Sequence, residues 1–147
     1  MKLTAKTGLQ IQKPISEVFE AIVNPEHLTK YFISYSSGTL ESGTKVHWEF
    51  EDFPRTFPVT NIKLNSPESV SFVWDVQTVV TITLTEQSDN STVVKITEGE
   101  KECNEKNLNW LIENTSGWTN FLDCLKAYLE YGIRLRKGAF NYLKPQK

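Results

Sequence analysis

The clearest hydrophobic pattern in the chain is helical and lies near its C-terminus, between residues 114 and 132. Apolar side chains recur there at intervals of three and four residues and project onto one arc of roughly 120°, whereas polar side chains occupy the opposite side. The apolar arc holds Trp118, Phe121, Leu122, Leu125, Tyr128 and Leu129. Because three of these side chains are aromatic, the pattern predicts an amphipathic helix that covers a wide apolar surface.

Between residues 32 and 102 the apolar positions follow a period of two, which predicts short antiparallel strands joined by polar turns. Successive side chains of a strand point to opposite faces, so the apolar members of each strand should share one face. We expect one curved sheet whose concave face carries Val46, Trp48, Phe50, Val70, Phe72, Trp74, Val80, Ile82 and Leu84. Further strands are predicted over residues 7–13, 57–64 and 92–98.

Two short helices are predicted directly after the first strand. The first has Ser16 as its N-cap, and the second spans Pro25–Tyr31, where proline suits the first helical turn. The residues before the amphipathic helix leave two alternatives open. Either one long helix starts near Asn104, or a shorter helix ends in a bend at Ser116–Gly117, and we favour the bend.

The length and composition fit one globular domain over residues 1–147. The net charge of −2 provides no basic field for nucleic acid or anionic lipid, and no stretch approaches the roughly 20 apolar residues of a membrane span. The first residues lack the apolar run of a signal peptide, and two cysteines are too few for a disulfide framework. We therefore expect a cytoplasmic protein that binds neither nucleic acid nor membrane, with Cys124 as a buried free thiol.

Few residues offer catalytic or metal chemistry. The two histidines, His27 and His47, belong to no cluster with metal-ligand spacing, and no glycine-rich phosphate loop is visible. We expect no metal, no cofactor and no catalytic residue. Three carboxylates near strand ends leave acid–base chemistry open as an alternative: Asp75, Glu98 and Glu100. We expect all of them to be solvated at the rim of any cavity.

The segment after Gly132 is basic and contains no acidic residue. Its cations are Arg134, Arg136, Lys137, Lys144 and Lys147. Positive charges near the C-terminus of a helix stabilise the helix dipole, and this is the role that we expect for them. A patch that binds an acidic partner is the alternative.

Three segments resemble one known family, and they occur in the order found there. The first segment resembles the N-terminal part of START-like (SRPBCC) superfamily domains, and it comprises residues 8–32, GLQIQKPISEVFEAIVNPEHLTKYF. The closer resemblance is to the branch related to the activator of the 90-kDa heat-shock-protein ATPase (Aha-type). A strand–turn–strand of that branch is similar to residues 59–75, VTNIKLNSPESVSFVWD, and its closing helix is similar to residues 117–132, GWTNFLDCLKAYLEYG.

The resemblance implies an α+β helix-grip fold, in which a curved antiparallel sheet wraps around a long C-terminal helix and two short helices follow the first strand. It also implies a deep apolar cavity between sheet and helix, where relatives bind lipids, sterols, polyketides or plant hormones and some cyclise or hydrate them. The sequence departs from the branch at Thr44, where a second glycine is common. It also lacks room for the additional N-terminal domain of the eukaryotic co-chaperone, which argues against a full co-chaperone role.

These observations predict a protein that binds a small lipophilic molecule between the sheet and the C-terminal helix. The residues expected to contact this molecule are Trp48, Phe50, Phe72, Trp74, Trp118, Phe121, Leu122 and Leu125. Two alternatives remain open. One is an enzyme of the cyclase or hydrolase type that acts on a lipophilic substrate. The other is an interaction module that binds a chaperone, as in a stress response, or forms a homodimer through a sheet edge or the basic tail.

Overall fold

In a computed structural model, which describes residues 1–144, the chain forms one sheet, three α-helices and a short 3-10 helix. In chain order the elements are β1 (Lys2–Ile11), α1 (Ile15–Val23), α2 (Pro25–Tyr31), β2 (Tyr35–Ser36), β3 (Val46–Phe50), β4 (Phe53–Asn65), β5 (Ser69–Trp74), β6 (Thr78–Glu86), β7 (Thr92–Glu102), α3 (Glu105–Tyr131) and the 3-10 helix (Asn141–Leu143). Lys147, one of the cations of the basic tail, lies outside the described residues.

The seven strands form one antiparallel sheet in the order β1-β7-β6-β5-β4-β3-β2. The apolar residues predicted for the concave face are buried, except that Trp74 is partly exposed. Helix α3 packs on this face, and its buried residues are Trp118, Phe121, Leu122, Cys124 and Leu125. The predicted α+β helix-grip architecture is therefore confirmed.

Helix α3 is one continuous helix of 27 residues, so the predicted bend at Ser116–Gly117 is wrong. The Asn104 side chain caps the N-terminus by accepting a hydrogen bond from the N–H of Asn107 at 2.8 Å. Gly132 ends the helix in the left-handed conformation, with φ of 66°, which glycine adopts without steric cost. A glycine inside a helix costs only about 1 kcal/mol relative to alanine, and the packing of the following turns outweighs this.

Several other bounds differ from the prediction, and β7 runs on to Glu102 instead of ending at residue 98. Strand β1 begins at Lys2 and not at residue 7, because it pairs with β7 along its whole length. Helix α1 has Pro14 as its N-cap and not Ser16, since the prolyl carbonyl already accepts the first hydrogen bonds of the helix. Strand β4 starts at Phe53 because a tight turn at residues 51–52 folds it directly back onto β3.

Side chains of α3 bind backbone groups at the C-terminal end of the edge strand β1 and in the residue that follows it. Lys126 Nζ donates to the carbonyl of Gln10 at 2.7 Å, and Glu130 Oε2 accepts from the N–H of Gln12 at 3.0 Å. An edge strand with free backbone groups is where a second chain can add to a sheet. The two side chains, which also pair with each other, therefore occupy part of the edge that a homodimer through β1 would need.

The two cysteines are expected to differ in reactivity. Cys103 is exposed, whereas Cys124 is buried as predicted, and its burial raises the pKa of the thiol. The thiolate is the reactive form, so a raised pKa leaves less of it at neutral pH. We expect Ellman's reagent to react rapidly with Cys103 in the native protein and with Cys124 only after denaturation. Rapid reaction of both thiols in the folded protein would contradict the burial of Cys124.

Candidate functional site

A cleft of about 780 Å³ lies between α3, the end of the sheet near the β3–β4 turn, and the segment that follows α3. Nine aromatic residues line its walls: Phe32, Phe50, Phe53, Phe57, Trp74, Trp110, Trp118, Phe140 and Tyr142. Eight polar or charged residues also line the cleft, among them Glu98, Asn114, Asn120 and Arg136. The cleft therefore combines a large aromatic surface with several hydrogen-bonding groups.

The aromatic rings of the cleft hold one another in place. Phe57 and Trp74 stack in parallel, with ring centroids 5.2 Å apart and an angle of 7° between the ring planes. Trp118 meets Trp74 edge to face at 6.0 Å, and Phe50 meets Phe57 in the same way at 5.3 Å. Because such ring pairs add to the stabilisation from area burial, these four side chains form a wall of well-defined shape between the sheet and α3.

Three of the eight predicted ligand contacts line the cleft, and they are Phe50, Trp74 and Trp118. The other five lie in the closed core with at most 2% of their surface exposed, and they are Trp48, Phe72, Phe121, Leu122 and Leu125. The course of α3 explains this division. Its buried residues begin at Trp118, whereas every side chain from Glu105 to Gly117 is at least partly exposed. Helix and sheet therefore interlock towards the C-terminus of α3 and separate towards its N-terminus.

The predicted ligand contacts omit six of the nine aromatic residues that line the cleft. Phe53 and Phe57 lie in the first part of β4, and Phe140 and Tyr142 lie in the segment after α3. The dense spacing of phenylalanines in EFEDFPRTF, residues 49–57, is a signal that could have located the first pair. The second pair has no helical or strand periodicity, so no pattern in the sequence connects it with the cleft.

Glu98 is a buried carboxylate of the cleft lining, with 1% of its surface exposed. Its Oε1 accepts hydrogen bonds from Trp118 Nε1 at 2.8 Å and from Asn114 Nδ2 at 2.7 Å, and its Oε2 accepts from the Thr78 hydroxyl. The prediction of a solvated rim carboxylate is therefore wrong for this residue. Glu98 continues the inward register of Ile96 on β7, so the strand turns its side chain towards α3.

The other two candidate carboxylates have different surroundings. Asp75 lines the cleft but forms an ion pair with Arg55, and 20% of its side chain is exposed. Glu100 is exposed and does not belong to the cleft lining. Of the three, Glu98 is thus the one that places a carboxylate shielded from solvent beside the aromatic wall.

Arg136 enters the cleft from the segment after α3, with 8% of its surface exposed. Its Nη2 lies 3.1 Å from Asp52 Oδ2, and its Nη1 donates to Asn120 Oδ1 at 3.0 Å. The guanidinium also lies over three rings, 4.7 to 5.3 Å from the centroids of Phe32, Phe50 and Phe140. Burial lowers the pKa of Arg136, and the Asp52 carboxylate opposes this effect by favouring the charged form.

Arg136 of the basic tail lies beside Asn120 and not at the C-terminus of α3, so it does not have the role predicted for it. Arg136 is buried in the cleft, and Arg134 donates to the carbonyl of Thr29 at 2.7 Å. The last carbonyls of α3 accept hydrogen bonds from the backbone N–H groups of Gly132 and Ile133. These backbone groups complete the helix end, so the arginines are free to contact other parts of the fold.

Histidine and acidic residues are not gathered into a metal site. His27 Nδ1 lies 2.7 Å from the Tyr128 hydroxyl, and His47 is exposed. Among residues 1–144, no group of three or more His, Cys, Asp or Glu side chains could hold a metal ion. Over the same part of the chain, none of the helices is both long and apolar enough to span a bilayer.

The order of the motifs and the fold both point to a known family. A family model described as Activator of Hsp90 ATPase homolog 1-like protein matches residues 12–130. The chain belongs to this family. The predicted Aha-type branch of the START-like superfamily is thereby confirmed. A comparison with curated protein sequences finds no match.

Solved structures share the fold of this Aha-type domain. The protein SSP2350 from Staphylococcus saprophyticus has 30% sequence identity and a TM-score of 0.79, over 91% of this chain and 96% of that one. The Aha1 dimer from Colwellia psychrerythraea has 19% identity and a TM-score of 0.75, over 88% of this chain and 98% of that one. DynU16, described as a protein in the dynemicin biosynthetic locus, has 19% identity and a TM-score of 0.77, over 89% of this chain and 48% of that one. At this identity, the last two show the fold alone.

The Aha-type family match covers only part of the cleft. Residues 12–130 contain the sheet and helix walls, among them Trp74 and Trp118. Arg136, Phe140 and Tyr142 follow the matched region and close the cleft from the other side. The wall contributed by the segment after α3 is therefore a feature of this chain that the family match does not describe.

Proposed function

We propose that this Aha-type protein binds a small lipophilic molecule in the aromatic cleft beside α3. The observation that carries the proposal is the cleft itself, with about 780 Å³ of space and nine aromatic residues in its walls. Small-molecule sites in proteins usually measure about 300–1,000 Å³ and combine apolar walls with few polar groups. The resemblance to the START-like superfamily implies a hydrophobic ligand in the same region, between the sheet and the long helix.

Burial of apolar ligand surface supplies enough free energy for useful affinity. At about 25 cal/mol per Å², about 300 Å² of apolar ligand surface contributes roughly 7 kcal/mol before the costs of association. Ring pairs such as Phe57 with Trp74 already fix the wall, so little side-chain entropy is lost on binding. We therefore expect dissociation constants in the micromolar range for a ligand that fills the cleft.

The surroundings of Glu98 favour binding over acid–base catalysis. Both carboxylate oxygens already accept hydrogen bonds, from Trp118 and Asn114 on one oxygen and from Thr78 on the other. A general acid or base must change its protonation state during turnover, and protonation of Glu98 would weaken these bonds. The carboxylate is thus better suited to holding the cleft wall in place than to moving protons.

Gly117 offers a way to fill the cleft without disturbing the core. It lines the cleft within α3, and a Cβ added there would meet nothing within 4 Å. A non-glycine residue also has the higher helix propensity. We expect Gly117→Phe to fold normally and to place its ring in the space that the ligand needs. The neutral fluorescent probe N-phenyl-1-naphthylamine should bind this variant at least about ten-fold more weakly than the native protein.

The matched control introduces the same side chain on the same helix, outside the cleft. Asp123 is exposed on α3 and does not line the cleft, so Asp123→Phe should keep the affinity for the probe within about two-fold. Circular dichroism confirms that each variant is folded. Equal probe binding by the native protein and by folded Gly117→Phe would contradict the proposal, as would failure of the native protein to bind the probe.

A further inference from the structure

Arg136 has hydrogen-bonding capacity that the fold does not use. A guanidinium carries five N–H donors. In this protein Nη1 donates to Asn120 Oδ1, and Nη2 pairs with Asp52 Oδ2. Within residues 1–144 the guanidinium makes no other hydrogen bond or ion pair. About three donors therefore remain on a side chain that lines the cleft and is almost completely buried.

The surroundings of Arg136 should strengthen a hydrogen bond between these free donors and a ligand. The rings of Phe32, Phe50 and Phe140 stabilise the cation through their faces, but they offer no acceptor for an N–H group. A hydrogen bond to an ionised group is stronger in such a poorly solvated site than in water. A ligand oxygen that reaches Arg136 from the cleft would satisfy donors that the aromatic rings cannot.

The acidic groups of the cleft lining do not provide a comparable site for a cation. Asp75 already pairs with Arg55, and Glu98 already accepts hydrogen bonds from neutral donors. Glu113 is exposed, where water screens its charge. Asp52 already balances the charge of Arg136, so what this side chain offers the cleft is its unused N–H donors. An oxygen acceptor complements them, and the hydrogen bond is strongest when that oxygen belongs to an ionised group.

We infer that the lipophilic ligand of this cleft carries an acidic group, of the carboxylate or sulfonate type, that binds the free N–H donors of Arg136. This inference rests on the proposed function and specifies its ligand class. The planar fork of a guanidinium matches two oxygens of such a group, so one end of the ligand is fixed while its apolar body lies against the aromatic wall. The ligand is therefore an amphipathic organic anion.

Two probes that differ by a single acidic group test the inference. 8-Anilino-1-naphthalenesulfonate is N-phenyl-1-naphthylamine with a sulfonate added, so the ratio of their affinities isolates the contribution of the anion. Only the probe binding that is lost in Gly117→Phe is assigned to the cleft. We expect Arg136→Gln to weaken binding of the sulfonate about ten-fold, which corresponds to about 1.4 kcal/mol, and to change binding of the neutral probe by less than about two-fold.

Two further variants control for effects on folding and on overall charge. Arg134→Gln removes a neighbouring cation that lies outside the cleft lining, so the affinity ratio should stay as in the native protein. Asp52→Asn removes the negative charge that balances Arg136, so sulfonate binding should become about three-fold stronger. If Arg136→Gln does not fold, the test rests on Asp52→Asn. Stronger sulfonate binding by this variant supports the inference, and unchanged or weaker binding overturns it.

The results separate failure of this inference from failure of the proposed function. If the neutral probe binds in the cleft but the affinity ratio is the same in the native protein, Arg136→Gln and Asp52→Asn, the ligand carries no acidic group at Arg136 and the inference is overturned. If neither probe responds to Gly117→Phe, the cleft is not the binding site and the proposed function itself fails.

Discussion

Glu98→Ala is expected to lower the free energy of unfolding by about 3–5 kcal/mol. The carboxylate accepts hydrogen bonds from Trp118 and Asn114 on α3 and from Thr78 on β6, and Ala offers none of them an acceptor. Each buried donor that loses its partner costs about 1–3 kcal/mol. Urea denaturation, monitored by tryptophan fluorescence, should show the loss as a lower urea concentration at the unfolding midpoint.

Two companion variants separate the hydrogen bonds of Glu98 from simple loss of a side chain. Glu98→Gln keeps one oxygen that can accept from Trp118 and Asn114, so it should cost only about 1 kcal/mol. Glu100→Ala removes an exposed carboxylate from the same strand and should change stability by less than about 0.5 kcal/mol. If Glu98→Ala lowered the free energy of unfolding no more than Glu100→Ala does, the buried carboxylate would not be connecting α3 to the sheet.

The link between Glu98 and Trp118 also has a consequence for the cleft. Trp118 forms part of the aromatic wall, and its indole N–H is held by the carboxylate at 2.8 Å. Without this bond the indole can rotate away from Trp74, its edge-to-face neighbour. The stability of the fold and the shape of the proposed binding site therefore depend on the same buried acceptor.

The sequence predicted the parts of the fold that follow a regular period. Alternation in β3, β5 and β6 gave the buried face of the sheet, and the apolar arc from Trp118 to Leu125 gave the buried face of α3. The same periodicity also placed Glu98 inward, in register with Ile96, but a charged residue was assumed to face solvent. That prediction was wrong because burial of a carboxylate depends on donors from other elements, here Asn114 and Thr78, which no local pattern reveals.

The site was harder to predict than the fold because part of its wall comes from an irregular segment. Trp74 and Trp118 could be found from strand and helix periodicity, whereas Phe140 and Arg136 lie in a segment that has neither. The prediction also treated the whole space between sheet and helix as the cavity. In the structure Trp48 is packed in the closed core, so the open space is confined to the end of the helix where its side chains are less buried.

Trp48→Ala is the second substitution expected to have a large effect, with a loss of about 3–5 kcal/mol in the free energy of unfolding. The indole is 2% exposed and contacts the rings of Phe32, Phe72 and Trp74, with centroids 5.7 to 6.4 Å away. Truncation to Ala removes a large side chain from a core that is otherwise closed, and the surrounding rings can refill the space only in part. Thermal or urea denaturation measures the loss.

Trp48→Phe should cost much less, about 1 kcal/mol or less, because the indole N–H of Trp48 donates no hydrogen bond within residues 1–144. Removing an unsatisfied buried donor relieves about 1–3 kcal/mol, which offsets the smaller ring. Trp118→Phe is the matched comparison, since its indole N–H donates to Glu98 and its loss should cost about 2–4 kcal/mol. Equal losses in the two variants would contradict the expected difference between the two indole N–H groups.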